Sequence, residues 1–367
     1  MFAVLKNRIA ALGIAAAIGT CVLALSALSA PSAASGSVRW GKIAGWTAPA
    51  QIDGTREMSS IWCSPSTAGE MPTFCITVDT KGNALLFDGR NNAWGAPAHI
   101  DPVGLASISC SPSSRDVRSA FCVAVNMLGL LTYTNGTWSP PIPQPVAIHH
   151  VSCATSSFCV AIGEAGFHGD ALIFSGDTWQ PIWIKKKGSR GVLTSVSCTA
   201  VAFSALGFCA AVGTGGRATI YSGGSWSPPS RIDSYRGSQL DLMSVSCPTP
   251  TYCVAVDEIG RALTFDGTSW SRPVTMKIVH AGGPSSISCP SPGTCVVVYN
   301  SGELLALGGT LAHPAWHDLG MVDGEGFEPI GPSISCPTAG ICAAVDARGG
   351  WVYHPASVFS TPTPTPR

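Results

Sequence analysis

The chain has 367 residues, of which 46% are apolar and only 11% are charged, against roughly 25% charged residues in an average soluble domain. Lys and Arg (21) balance Asp and Glu (21), and this absence of net positive charge argues against a nucleic-acid-binding function, which needs a basic surface to neutralise phosphates. The 41 Gly and 28 Pro favour a turn-rich, all-β chain over a helical one.

The N-terminus has the pattern of an export signal. Lys6 and Arg8 precede an uncharged apolar run over residues 9–28, and the small residues 32–34 fit a signal-peptidase cleavage rule. We expect residues 1–34 to be a signal peptide. Two alternatives stay open: the run is long enough to remain as an N-terminal membrane anchor, and Cys21 lies in a sequence similar to a lipobox.

Residues 35–45 read as a linker, residues 46–355 as a repeat region, and residues 356–367 as a Pro/Thr-rich extended tail. The repeat is clearest in its fifth copy, which runs Met243-Ser-Val-Ser-Cys247, Cys253-Val-Ala-Val-Asp257, Arg261-Ala-Leu-Thr-Phe265 and a hairpin Trp270. The first Cys of the unit recurs after 42 to 49 residues. A period of this length with four short β segments is typical of propeller blades.

Each segment of the repeat has a physical role. The first strand alternates Ser with an apolar residue, because small residues fit the crowded central channel of a propeller. The second is continuously apolar, as expected for a strand buried on both sides. The third ends in an aromatic residue, and a Gly-containing turn then brings a Trp across the hairpin to pack against it. The third-strand aromatics are Phe87, Tyr133, Phe174, Tyr221 and Phe265.

The cysteines follow the same repeat. Cys21 lies in the signal, and the other 14 form seven local couples: Cys63 and Cys75, Cys110 and Cys122, Cys153 and Cys159, Cys198 and Cys209, Cys247 and Cys253, Cys289 and Cys295, Cys336 and Cys342. We expect each couple to be a disulfide between the first and second strands of one blade, contributing about 2–3 kcal/mol in the chain-entropy model. The spacings lack the two-residue interval of zinc knuckles, so we expect no metal and no cofactor.

The two ends of the repeat region are complementary. An outer-strand segment, Trp46-Thr-Ala-Pro-Ala-Gln-Ile, precedes the first Cys couple, whereas the last unit ends at Tyr353 without a hairpin Trp strand. The N-terminal strand would therefore complete the last blade and remove exposed sheet edges. The sequence predicts an all-β, seven-bladed β-propeller with an intrablade disulfide in each repeat.

The units resemble those of uncharacterised secreted bacterial Cys-paired repeat propellers, which carry S-x-S-C, C-x-A-V-D-x-x-G and F-D-G-x-x-W-S segments. This resemblance covers residues 46–353 and implies the fold alone. The Asp266-Gly267-Thr-Ser-Trp270 hairpin is also similar in place to the Asp-box hairpin of sialidase-like propellers. Asp and Gly are adjacent here, unlike in the Asp box, so no catalytic residue is carried over.

Catalytic motifs are absent from the sequence, which has no H-E-x-x-H, G-x-S-x-G, P-loop or dinucleotide fingerprint. His313 and His317 have a metal-ligand spacing, but Pro314 disfavours the helix it needs. We assign His149 and His150 to a solvated loop before a first strand. A carbohydrate-active enzyme of the sialidase or lyase kind is the alternative function, with Tyr235 and Glu258 as possible neighbours.

The loops that lead into the first strands hold a large share of the ionisable residues. Such loops on a rigid scaffold often carry function. The candidate binding residues are Lys185, Lys186, Lys187, Arg190, Tyr235, Arg236, Asp323, Glu325 and Glu328. We expect a non-catalytic recognition propeller, secreted or attached to the cell surface. Its expected partner is an extracellular glycan, peptide or protein, with no nucleic acid and no membrane span beyond the N-terminal segment.

Overall fold

The computed structural model describes residues 57–67, 70–113, 115–144, 146–165, 168–176, 178–184, 191–276, 282–310, 313–321, 331–346 and 349–353. These residues form antiparallel β-sheets and one short 3-10 helix, Val117–Ser119, which Asp116 caps. The described part of the chain holds no helix with the length and apolarity needed to cross a membrane. The predicted signal, the linker, the segment from Trp46 to Ile52 and the tail all lie outside the described residues.

Consecutive strands pair in chain order, so each sheet corresponds to one copy of the repeat. The first sheet is formed by β1 (Met58–Cys63), β2 (Phe74–Asp79), β3 (Asn83–Asp88), β4 (Ala93–Trp94) and β5 (Ala98–His99). The second is formed by β6 (Ser107–Cys110), β7 (Cys122–Asn126), β8 (Gly129–Thr134), β9 (Thr137–Trp138) and β10 (Ile142–Pro143). The third is formed by β11 (Ala147–Thr155), β12 (Phe158–Ala165), β13 (His168–Ser175) and β14 (Thr178–Trp183).

The later copies follow the same order. The fourth sheet is formed by β15 (Leu193–Thr199), β16 (Phe208–Gly213), β17 (Arg217–Ser222), β18 (Ser225–Trp226) and β19 (Ser230–Arg231). The fifth is formed by β20 (Leu242–Thr249), β21 (Tyr252–Asp257), β22 (Arg261–Phe265) and β23 (Val274–Thr275). The sixth is formed by β24 (Pro284–Ser291), β25 (Thr294–Tyr299), β26 (Glu303–Thr310) and β27 (His313–Met321). The last is formed by β28 (Ser333–Thr338), β29 (Ile341–Asp346) and β30 (Gly349–Tyr353).

The blade count corrects the sequence-based expectation. Six sheets have an inner, two middle and an outer strand position filled, and these are the six blades of the propeller. The last sheet has three strands in the described part of the chain, so the prediction of seven blades is wrong. The physical reason is that the repeat ends at Tyr353 before an outer strand, and the segment expected to supply that strand is not among the described residues.

The predicted disulfides are confirmed, one in each sheet. All seven join a first strand to the adjacent second strand, with Cα–Cα separations of 3.9 to 4.1 Å. In four of the sheets the two half-cystines lie directly opposite each other in the strand register, as for Cys63 with Cys75 and Cys198 with Cys209.

The predicted hairpin pairs are also confirmed. The third-strand aromatic and the following Trp lie across the turn with ring centroids 5.2 to 5.4 Å apart in five sheets. In the sixth sheet Leu307 takes the aromatic position and pairs with Trp316. Each pair packs on a cluster of buried side chains shared with a neighbouring sheet, where Val, Ala and Leu of the second and third strands are almost fully buried. This apolar area is the main stabilising contact between sheets.

The Ser-x-Ser pattern of the first strands has a specific function in the fold. Each first strand is the inner edge of its sheet, where backbone N–H groups have no partner strand. A neighbouring Ser supplies one: Ser109 Oγ accepts from Cys153 N at 3.0 Å, and Ser197 Oγ accepts from Cys247 N at 2.9 Å. The series closes on itself, because Ser335 Oγ accepts from Cys63 N at 3.0 Å. These strands line a central cavity of about 370 Å³.

Candidate functional site

Two ends of the antiparallel sheets can be distinguished. We call the end with the loops into the first strands and the turns between second and third strands the entry face. The hairpin face is the opposite end, with the disulfide-bearing connections and the turns between third and outer strands. The candidate site lies on the entry face, between the fourth and fifth sheets. It consists of Asp233, Tyr235, Arg236, Asp257 and Arg261, which we call the Arg261 cluster.

The loop after β19 is fixed to its own sheet by backbone contacts. Ile232 N and Asp233 N both donate to Gly216 O, at 2.8 and 3.1 Å. Gly216 has a φ of +66°, and a Cβ there would lie 2.2 Å from Asp233 O, so only glycine fits. This close approach holds the Asp233 carboxylate against the turn between β21 and β22.

Arg261 joins that loop to the fifth sheet. Its Nη2 lies 2.6 Å from Asp233 Oδ1, and its Nε lies 2.5 Å from Asp257 Oδ2. Asp257 also caps the turn, because its Oδ1 accepts from Ile259 N and Arg261 N at 3.1 and 2.7 Å. All three charged side chains are buried, so the Arg261 guanidinium bonds to these two carboxylates rather than to water.

Two carboxylates share this one guanidinium. Burial, and next the Asp257 carboxyl beside it, raise the pKa of Asp233 from 3.8 to about 6 against the lowering effect of Arg261. Asp233 Oδ2 has no hydrogen-bond partner among the described residues. Asp233 therefore changes its protonation state in the mildly acidic range.

Tyr235 and Arg236 form the exposed layer of the Arg261 cluster. The guanidinium carbons of Arg236 and Arg261 lie 5.1 and 5.2 Å from the centroid of the Tyr235 ring, within cation–π range. Tyr235 and Ser238 exchange backbone hydrogen bonds of 3.1 and 2.8 Å. The two residues between them have φ of +49° and +83°, as a tight hairpin turn requires. Tyr235 remains 41% exposed, so the hairpin turn presents an aromatic ring next to the exposed Arg236 guanidinium.

Exposed apolar side chains extend the same face. Ile259 lies in the turn next to Arg261, and Met127 and Leu128 occupy the corresponding turn of the second sheet. Met127 and Leu128 are 68% and 62% exposed, although turns normally carry polar residues. Apolar residues held on rigid turns are typical of contact surfaces for other macromolecules.

Of the predicted binding residues, the structure brings Tyr235 and Arg236 together. Lys185, Lys186, Lys187, Arg190, Asp323, Glu325 and Glu328 lie outside the described residues. Their assignment to a binding face stays a prediction.

Tyr235 and Glu258, the residues named for the enzymatic alternative, make contacts with other residues. Glu258 Oε1 accepts from Asp241 N at 3.2 Å, whereas Tyr235 packs with arginines. His313 and His317 lie in strand β27, where residues four apart are about 13 Å apart along the chain. The described residues include no group of three or more His, Cys, Asp or Glu that is placed to hold a metal ion.

The assignment of His149 and His150 to a solvated loop is wrong, because both lie in strand β11. His150 replaces the first Ser of the repeat in the channel wall, and its Nδ1 accepts from Val196 N at 3.5 Å. Burial, and secondarily His149, lower its pKa to about 4. Alignment of His150 with Ser195 and Ser244 in the repeat was the signal that could have placed it.

Comparison with known proteins places the fold. No family model matches the chain, and no curated protein matches it. Among solved structures, YCF48 bound to D1 peptide matches with a TM-score of 0.60 and 15% identity, over 89% of this chain and 99% of that one. YCF48 from Cyanidioschyzon merolae matches with a TM-score of 0.62 and 14% identity, over 86% and 100%. The WD40 repeats of RRP9 match with a TM-score of 0.63 and 8% identity, over 84% and 99%.

The chain is a β-propeller. At these identities the similarity extends to the fold and not to the function, because propellers of one architecture host unrelated activities. The function therefore has to be argued from the surfaces of this chain.

Proposed function

We propose that this chain is an extracellular, non-catalytic recognition propeller that binds a protein or peptide on its entry face. The observation that carries the proposal is the Tyr235–Arg236 turn, an exposed aromatic ring and guanidinium held by a buried ion-pair network. Tyr and Arg are the side chains that most often dominate binding energy at protein interfaces. The rigidity of the turn lowers the entropy cost of binding.

The neighbouring surface and the cysteine chemistry support this proposal. Met127, Leu128 and Ile259 supply exposed apolar contacts on the same face. The seven disulfides are typical of extracellular proteins, since thiols stay reduced in the cytosol. One of the similar structures is YCF48 bound to D1 peptide, so a propeller of similar fold binds a peptide.

We further propose that Lys185 to Lys187 and Arg190 extend this face on one side, and Asp323, Glu325 and Glu328 on another. The carbohydrate-active alternative is not proposed. At the Arg261 cluster, an enzyme that grips a substrate carboxylate would need Arg261 as a donor, and Arg261 already binds Asp233 and Asp257.

Peptide-library display on the purified, oxidised protein tests the proposal. Selected peptides are titrated against the wild type and against Tyr235→Ala, Arg236→Gln and the control Arg272→Gln, an exposed Arg outside the Arg261 cluster. We expect Tyr235→Ala and Arg236→Gln each to raise Kd at least tenfold and Arg272→Gln to change it less than twofold. Selected peptides that bind both entry-face variants as tightly as the wild type would overturn the proposal.

A further inference from the structure

A second polar cavity lies on the hairpin face, between the first and second sheets. It has a volume of about 260 Å³. Its wall combines the turn after β3 with the connection between β6 and β7, and it includes Arg90, Arg115 and Arg118. We call this cavity the arginine cleft.

The backbone that carries these arginines is tied together at Thr73. Thr73 O accepts from Gly89 N at 3.0 Å, and Thr73 Oγ1 donates to Arg115 O at 2.6 Å. A Cβ at Gly89 would lie 1.8 Å from Pro72 O, so the turn that carries Arg90 packs directly on the neighbouring backbone. These contacts fix the positions of the backbone segments that carry the arginines around the cavity.

The acidic side chains of the cleft accept hydrogen bonds from nearby backbone and amide groups. Asp88 Oδ1 accepts from Arg90 N at 2.9 Å, and its Oδ2 accepts from Asn91 Nδ2 at 2.8 Å. Asp116 Oδ1 accepts from Arg118 N at 2.9 Å and so caps the 3-10 helix. Within the described part of the chain, none of the three exposed guanidinium groups has an ion pair with either carboxylate.

The clustering is notable for a chain with so few charges. The described residues contain nine Lys and Arg side chains, and three of them line this one cavity. Guanidinium groups that line one cavity repel one another, and an anionic ligand relieves that repulsion.

We propose that the arginine cleft binds carboxylates of an acidic peptide segment. The planar guanidinium fork matches a carboxylate through two parallel hydrogen bonds. The cavity has room for one or two side chains, with the aliphatic parts of Leu86 and Val117 in its wall. Phe74 and Phe87 are buried and offer no exposed ring for a sugar, which favours a peptide over a glycan.

This site goes beyond the proposed function because it lies at the opposite end of the sheets from the Arg261 cluster. Its ligand contacts use none of the residues of that cluster. Each site can therefore fail a test while the other passes.

The test is fluorescence anisotropy of labelled hexaglutamate with the full oxidised protein at low salt and at roughly physiological salt. The cleft variant is Arg90→Gln/Arg115→Gln/Arg118→Gln. A charge-matched control, Arg217→Gln/Arg231→Gln/Arg272→Gln, removes three arginines elsewhere, and Tyr235→Ala perturbs the entry face alone. Hexaglutamine and a heparin hexasaccharide are titrated in parallel.

We expect hexaglutamate to bind the wild type, the matched control and Tyr235→Ala within a factor of three of one another. The cleft variant should bind at least tenfold more weakly, and higher salt should weaken wild-type binding because the contact is ionic. An equal loss in both triple variants would show a general charge effect and overturn the proposal. Absence of wild-type binding to hexaglutamate, or cleft-dependent binding of the heparin fragment alone, would also overturn it.

Discussion

The Arg261 cluster and the arginine cleft use the same side chain in opposite ways. In the Arg261 cluster the guanidinium is buried, and its Nε and Nη2 lie 2.5 and 2.6 Å from carboxylate oxygens of the chain. In the arginine cleft three guanidinium groups are exposed, and the nearby carboxylates bond to backbone and amide groups instead.

The difference lies in what the acidic partner already binds. Asp233 Oδ1 accepts from Arg261, whereas Asp88 and Asp116 accept from backbone N–H groups of the turns that carry the arginines. Breaking a buried ion pair strongly destabilises the fold, whereas an exposed charge without a partner contributes little to stability. Arg261 should therefore matter for folding, and the cleft arginines for binding.

The largest expected effect comes from Arg261→Met. This change leaves two buried carboxylates without their cation, which should lower the free energy of unfolding by about 3–5 kcal/mol. Urea denaturation at neutral pH with disulfides intact measures it.

The cleft triple variant, Arg90→Gln/Arg115→Gln/Arg118→Gln, is the matched comparison. Surface substitutions without partners change stability by about 0.5 kcal/mol or less each. Equal destabilisation by both changes would abolish the distinction between the two regions.

The next effect concerns acid stability and extends the comparison to His150, which is partly buried in the channel wall. Its pKa is lowered to about 4 in the fold, so between pH 6.5 and 4 the unfolded chain binds a proton that the folded chain does not. Stability is lost as the pH falls through this range, with a slope of at most about 1.4 kcal/mol per pH unit. His150→Ser restores the residue of the other repeats, keeps an acceptor for Val196 N, and should remove this loss.

Asp233 changes the stability of the fold with pH in the direction opposite to His150. Its pKa is raised to about 6, so the folded chain binds a proton that the unfolded chain lacks between pH 4 and 6, and its contribution to stability falls as the pH rises. Asp233→Asn should therefore steepen the acid-side loss caused by His150. Thermal unfolding across pH 4–7 checks both slopes, and identical profiles for the wild type and the two variants would contradict them.

Local features of the fold were predictable from the sequence, and long-range ones were not. The disulfides and the Phe265–Trp270 hairpin follow from spacings within one repeat. The Arg261–Asp233 pair joins residues 28 apart on different sheets, and it depends on the path of a loop that no local pattern specifies. The blade count failed because the outer strand of the last sheet was assigned to residues 46–52, which are remote from that sheet in sequence.

Candidate site residues were recovered to the extent that they lie on one turn. Tyr235 and Arg236 are adjacent in sequence, and the structure places them together. The arginine cleft was missed because Arg90 and Arg115 belong to different repeats, and their turns meet at one cavity through long-range contacts such as those of Thr73.

Peptide mapping of the purified protein by mass spectrometry without reduction tests the central claim, a propeller whose sheets are each closed by one local disulfide. We expect seven linked peptide pairs, each joining cysteines 6 to 12 residues apart, from Cys63–Cys75 to Cys336–Cys342. Free thiols at these positions, or linkages between different repeats, would contradict it.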